Sequence, residues 1–320
     1  GRVGVGVRRE QYAAGGRVDV HGLFEELDTA HLGHSVIGEE QGHEVAAKLH
    51  LTQRVYCLRA RFGTDDAVVG AIAAAQVTSF ATRTGAVTPQ AGDYSAVTET
   101  LTNKTILAMR LGLFDEAQDL IGRSEELLAV VREARTAIAN TVNLSFIKLH
   151  LGDPAGAKRF ASRALDEAHD IDFPVFEAAA LANLGNAERV LGEFDLAIGH
   201  MESGISIRRQ VQESGDFADD LSDLALAYAQ AGRTEDARRT VDELASVAAR
   251  SLDGAFWPQY IWWAMSRVYR EGGDQRLASE AALRATAALN DFAAKIDHAA
   301  ARDAFLAIDV NREILASVRT

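Results

Sequence analysis

The densest acidic pattern in the chain is Asp219-Asp220-Leu221-Ser222-Asp223. On a helix it sets Asp219 and Asp223 on one face, an arrangement suited to holding magnesium against a diphosphate. The second acidic motif that this chemistry needs is missing. Asn290-Asp291 is followed by Ala294 and His298, where a hydroxyl or glycine and then a glutamate are required. The acids also fall at a helix start, where the helix dipole favours them without any metal. Five of the nine histidines lie between His21 and His50, with His31, His34 and His43 near Glu39 and Glu40. That segment has no HExxH and no cysteine pair, so it reads as solvated and polar and no metal site is expected. Gly33-His34-Ser35-Val36-Ile37 lacks the second glycine of a nucleophile elbow. Gly1, Gly4 and Gly6 lack the spacing of a dinucleotide loop, and there is no Walker loop. The residue patterns therefore speak against catalysis, and no cofactor is expected.

A different polar pattern recurs. Asn103, Asn143, Asn183 and Asp223 follow one another at intervals of 40 residues, with Ala264 closing the column. An asparagine amide both donates and accepts, so such a ladder can pair with the backbone of an extended peptide or bond neighbouring helices and fix their stacking. Arg110, His150, Asn186, Arg189, Gln230, Tyr260, Trp263, Arg267 and Arg270 fall on the same face by spacing. Arg189, Arg267 and Arg270 suit carboxylates of a ligand, or else internal ion pairs with Glu188, Glu271 or the acids around Asp219. Phe256, Trp257, Tyr260, Trp262 and Trp263 contain all three tryptophans. Trp262 fits the packed face and Trp263 the open one.

The elements that must position these residues are set by a repeat. The turns Leu111-Gly112, Leu151-Gly152, Leu191-Gly192, Ala231-Gly232 and Gly272-Gly273 place the glycine of their second position 40, 40, 40 and 41 residues apart. Five residues after each comes Ala117, Ala157, Ala197, Ala237 or Ala278. Each unit reads as two helices, the first ending at the glycine and the second starting at once. Ala178 to Leu191, with Leu181, Leu184 and Leu191 on one stripe, is one first helix. Asp153 is the expected N-cap of one second helix, with Pro154 opening it, and Thr234 the expected N-cap of another. The alanine faces the first helix, and neighbouring hairpins must stack to complete a core. Four prolines and 7% aromatic residues agree with an all-α chain. A net charge of −13 argues against general nucleic-acid affinity. The single Cys57 favours a cytoplasmic setting, and no apolar run reaches the length a membrane helix needs.

Asn183-Leu184-Gly185, Leu191-Gly192, Phe194 and Ala197 resemble the tetratricopeptide repeat, in its long-helix, 40-residue variety found in cargo-binding and bacterial regulatory proteins. Counted from Thr98, Ile138, Ala178, Ala218 and Gln259, the eighth place holds Thr105, Ser145, Gly185, Ala225 and Ser266, all small. The eleventh keeps Tyr228 and Tyr269 but departs to Ala108, Lys148 and Glu188. The resemblance covers residues 98–297, as five repeats. It implies a right-handed superhelical solenoid of antiparallel helix hairpins whose first helices line a concave groove. In cargo-binding relatives an asparagine just before the Leu-Gly pair holds the ligand backbone; Asn103, Asn143 and Asn183 match it here. Residues 1–48 have no clear assignment beyond partial helix. Residues 49–97 read as a degenerate repeat, with Leu58, Gly63 and Thr64, and a linker over Gly85 to Asp93. Residues 298–320 read as one C-terminal capping helix, resembling the tail of arrays in large bacterial regulatory ATPases and nucleotide cyclases.

The favoured reading is a non-enzymatic scaffold or sensor that binds a protein or an extended peptide in its groove. It would be part of a larger bacterial signalling or transcriptional regulator, with an effector domain on the N-terminal side. The chain begins at Gly1 rather than Met, as expected of a fragment or processed form. The ligand residues are expected to be Asn103, Asn143, Asn183, Asn186, Arg189, Asp223, Tyr260, Trp263, Arg267 and Arg270. Two readings compete. One is a helical magnesium–diphosphate enzyme of the isoprenoid-synthase type, from residues 219–223. The other is a DNA-binding regulator with a peptide sensor, because Val45 to Thr64 holds no acid, carries Lys48, Arg54, Arg59 and Arg61, and loosely resembles a helix-turn-helix.

Overall fold

A computed structural model describes residues 91–131, 133–211, 216–252 and 254–317. The expected degenerate repeat, the histidine-rich segment and the helix-turn-helix candidate lie outside these residues. Within them are twelve helices and no strand. They are α1 (Ala91–Arg110), α2 (Phe114–Val131), α3 (Ala134–His150), α4 (Pro154–Asp170), α5 (Pro174–Leu191) and α6 (Phe194–Val211). They continue as α7 (Phe217–Gln230), α8 (Thr234–Ala248), α9 (Pro258–Glu271), α10 (Gln275–Ala294), α11 (Ala299–Ala307) and α12 (Asp309–Ser317). The first ten form five antiparallel hairpins. None is long and apolar enough to cross a membrane.

Each hairpin turn is built the same way. Gly112, Gly152, Gly192, Gly232 and Gly273 all have φ between 73° and 83°, where a side chain would strain the backbone. The residue after each glycine donates its N–H back to the carbonyl five residues earlier: Leu113 to Ala108, Asp153 to Lys148, Glu193 to Glu188, Arg233 to Tyr228 and Asp274 to Tyr269, at 2.8–2.9 Å. These are Schellman closures, which satisfy carbonyls that the helix end would leave bare. Asp153 caps α4 through the Gly156 N–H with Pro154 at the first turn. Thr234 does not cap α8. It is the first helical residue, Arg233 holds the cap position without a side-chain bond, and Asp236 in the first turn pairs with Arg233 and Arg239 instead. The α1 helix begins at Ala91, ahead of Thr98, so the last residues of the expected linker are helical.

The repeated small residues mark where the two helices of a hairpin meet. All five column alanines are buried. A Cβ on Gly185 would lie 2.6 Å from Met201 Cγ and 2.9 Å from the Ala197 carbonyl oxygen. Ala197→Leu should therefore cost roughly 1–3 kcal/mol through overpacking. A lowered urea midpoint at unchanged slope would show this, and an unchanged midpoint would mean that the hairpin opens freely.

First helices pack on the next first helices, whereas second helices pack mainly on first helices. The helices α1, α3, α5, α7 and α9 thus follow one another along one face of the array. The C-terminal cap is two short helices rather than one. Ile308 adopts φ −57° and ψ 135°, which ends α11 and starts α12. Its side chain sits where a Cβ on Gly112 would be, 2.7 Å away, so the break lets the cap reach the first described hairpin. Asn311, fully buried, accepts from Gln259 Nε2 at 3.2 Å and donates to the Phe305 carbonyl at 2.7 Å. This amide link fixes α12 on α9.

The array also closes on itself across 147 residues. Trp257 Nε1 donates to the Arg110 carbonyl at 3.0 Å, and Arg110 Nη2 donates to the Ala255 carbonyl at 3.2 Å. The buried Arg110 guanidinium lies over the Phe256 and Phe292 rings. Phe146 meets Phe256 and Trp257.

Candidate functional site

The face built by the first helices divides into two halves. At the α1–α3 end, Arg110 and His150 lie on this face as their spacing predicts; the protein's own residues bury Arg110 and pack around the His150 ring. His150 stacks on Phe114 at 4.8 Å and meets Phe146 and the edge of Trp257. Desolvation by these rings lowers its pKa to about 4, against an opposing pull from Asp309. Its edge nevertheless stays exposed, so the ring is enclosed by protein without being sealed from water.

The half built by α5, α7 and α9 is open. Asp223 accepts from Asn186 Nδ2 at 2.6 Å and from the Tyr260 hydroxyl. Asn186 Oδ1 accepts from Arg189 at 3.2–3.4 Å, and Arg189 also donates to Gln230 Oε1 at 3.3 Å. Burial pushes the Asp223 carboxyl up, while Arg189 and the two hydrogen bonds pull it down. Tyr260 stacks on Trp263, ring centres 5.6 Å apart, and Arg267 lies 5.6 Å over Trp263. The result is a connected polar wall with an aromatic face beside it.

Two clefts open there, one on each side of Trp263 and Arg267. The first, about 80 Å³, is lined by Arg189, Leu226, Ala229, Gln230, Tyr260 and Glu271 as well. The second, about 70 Å³, runs between α9, α10 and α12, past Arg270, Ala282, Ala285, Glu313 and Ile314. Arg267 approaches Glu271 at 3.7 Å and Glu313 at 3.6 Å. Glu188 takes Lys158 and His200 rather than any groove arginine.

The expected ligand residues therefore separate. Asn186, Arg189, Asp223, Tyr260, Trp263 and Arg267 come together, with Arg270 across the indole in the second cleft. Asn183 stands apart: its Nδ2 donates to the Val142 carbonyl at 3.0 Å and to Ser145 Oγ at 2.7 Å, stitching α5 to α3. Asn103 and Asn143 are half-buried on first helices and form no side-chain hydrogen bond among the described residues. Trp262 packs against α10 under Arg284, as its position predicts.

The Asp219–Asp223 motif is divided among three duties. Asp220 pairs with the buried Arg208 of α6, Asp219 accepts the Phe256 N–H at 2.9 Å, and Asp223 holds Asn186 and Tyr260. Burial pushes Asp219 well above the usual carboxylate range. Among the described residues no three His, Cys, Asp or Glu side chains are grouped to hold a metal ion. Sequence spacing did not single out Glu313, because it belongs to the cap and has no repeat coordinate. Leu226 was equally hidden, as an ordinary apolar residue in an apolar helix.

The sequence matches no protein-family profile and no curated protein. Among solved structures, the chain is similar to a Rap protein complexed with competence and sporulation factor, with TM-score 0.61, 14% identity, 93% of this chain and 81% of that one covered. It is also similar to RapI in its apo form, with TM-score 0.58, 11% identity and coverage of 85% and 98%. Kinesin-light-chain TPR-like repeats from Podosopora anserina align with TM-score 0.45, 16% identity and coverage of 61% and 95%. At these identities the likeness concerns the fold, a tetratricopeptide-like helical solenoid.

Proposed function

We propose that this chain is a protein-interaction module without catalytic activity, which takes an extended peptide or a protein segment into the open half of its inner face. The carrying observation is the cleft walled by Arg189, Gln230, Tyr260 and Trp263. Its polar groups are pre-aligned by one another and its aromatic face is partly exposed, as binding sites for extended chains are. The Rap protein of similar fold is complexed with competence and sporulation factor, which supports a ligand-binding role for this chain. Asn103 and Asn143 extend the same register toward the N-terminal end and are proposed to contact the ligand backbone, whereas Asn183 serves the stacking of α5 on α3. The module would serve as the sensor or scaffold of a larger bacterial signalling or transcriptional regulator in the cytoplasm, with an N-terminal effector domain. Groove occupancy would act by favouring one curvature of the array over another.

The test is selection of random displayed peptides against the full chain. Selected peptides should compete with one another and lose at least tenfold in affinity when Gln230→Ala and Trp263→Ala are combined. Leu283→Ala, at a site 72% exposed on α10, should change nothing. Peptides that bind the double variant as tightly as the parent would place the interaction elsewhere.

A further inference from the structure

We infer that the two clefts around Trp263 recognise carboxylates, so that the ligand of this face is an acidic peptide with Arg267 as the residue that sets its specificity. The inference rests on the peptide-binding reading and adds the chemistry of the ligand.

Charge carries the argument. The chain has formal charge −13, yet Arg189 and Arg267 share the first cleft and Arg267 and Arg270 share the second. These guanidinium groups are weakly compensated. Arg189 has the Asp223 carboxylate nearby but directs its hydrogen bonds to the neutral amides of Asn186 and Gln230. Arg270 has neither an ion pair nor a side-chain hydrogen bond among the described residues. Arg267 has Glu271 and Glu313 at 3.7 and 3.6 Å, too far for a hydrogen bond. The surface arginines elsewhere show what full pairing looks like: Arg209 grips both oxygens of Glu243 at 2.7 and 2.9 Å.

An arginine fork gains most from a carboxylate that it holds by hydrogen bonds. Glu313 on α12 is thus an internal stand-in whose side chain an incoming carboxylate displaces, while Ile314 and Asn311 keep the helix docked. The apolar walls, Leu226 and Ala229 on one side and Ala282 and Ala285 on the other, accept the side chains next to the acid. The carboxylate comes from an Asp or Glu side chain or from a peptide C-terminus; both present the same group.

The probes are fluorescein-labelled seven-residue peptide pools with one fixed central residue, measured by polarisation with the full chain at 150 mM salt. The pools are fixed Glu, Gln or Lys with amidated C-termini, and fixed Gln with a free C-terminus. The Glu pool, the free-terminus pool or both should bind at least tenfold more tightly than the amidated Gln pool. The pool that does so identifies which carboxylate is read. Arg267→Glu should remove that preference and favour the Lys pool, with helicity intact. Arg276→Glu, on the outer face, should leave the preference in place. Glu and amidated Gln pools within twofold of each other, both weakened by Trp263→Ala, would sink the carboxylate assignment while leaving peptide binding in place. Binding of no pool would overturn both. A labelled single-stranded 12-mer oligonucleotide that displaces the Glu pool would also overturn the inference, in favour of phosphate.

Discussion

Trp257→Ala should open the array. In a solenoid each repeat normally touches only its neighbours, so the loss of one side chain is felt locally. Trp257 is an exception. It is 5% exposed and packs with Ala285, Leu289, Phe305, Ile308 and Ile314 of the last repeat and cap. On the other side it meets Phe146 and His150 and donates to the Arg110 carbonyl. Deleting it removes a large buried ring and leaves a carbonyl unpaired, an expected cost of roughly 3–5 kcal/mol. Trp257→Phe keeps most of the packing and loses the hydrogen bond, for about 1 kcal/mol. The first variant should also separate the cap from the first described hairpin, since the indole joins them. Urea denaturation should lose its single transition in Trp257→Ala, and small-angle scattering should show a larger radius of gyration at nearly unchanged helicity. A single transition with the parent's midpoint would mean that the closing contact contributes little.

That closing contact shows where sequence reading reached its limit. The turns were legible because a positive φ and a helix-to-helix contact restrict residue type at a fixed spacing: Gly192 and Ala197 announce themselves. The backbone turn at each glycine and the burial of each column alanine are local to one hairpin, so periodicity captures them. The meeting of Arg110 with Trp257 spans 147 residues and recurs nowhere, so no column records it. The asparagine column was visible as a pattern, but its use was not. Asn183 finds Ser145 and the Val142 carbonyl within reach, and only packing decides that. The break at Ile308 carries no glycine or proline to signal it; the residue turns because its side chain is needed against Gly112. The open cleft was half legible. Arg189, Tyr260, Trp263 and Arg267 follow from helical spacing, whereas Glu313 comes from the cap.

Arg208→Met should be the most damaging single change at a charged residue, and its effect should depend on pH. Arg208 is 2% exposed, forms an ion pair and hydrogen bond with Asp220, and reaches Asp216 at 3.3 Å. Methionine fills much of the space but leaves the Asp220 carboxylate buried without its partner. Breaking such a pair from one side costs roughly 3–5 kcal/mol, more than the pair itself contributes. Burial pushes the Asp220 carboxyl up to about 7 even with Arg208 pulling it down. Without the guanidinium the folded carboxyl holds its proton more tightly than the unfolded chain does, whose ordinary value is 3.8. The folded variant then binds the extra proton, so its stability is greatest in acid and falls as pH rises above that value. The deficit relative to the parent should be small below about pH 7, where both folded forms hold the Asp220 proton, and grow as pH rises above it, read from urea midpoints on both sides of that value. Adding Asp220→Leu should recover most of the loss, because two apolar side chains leave no buried charge behind. A deficit below about 1 kcal/mol that does not vary with pH would show that water reaches Asp220 and that the pair behaves as an exposed one.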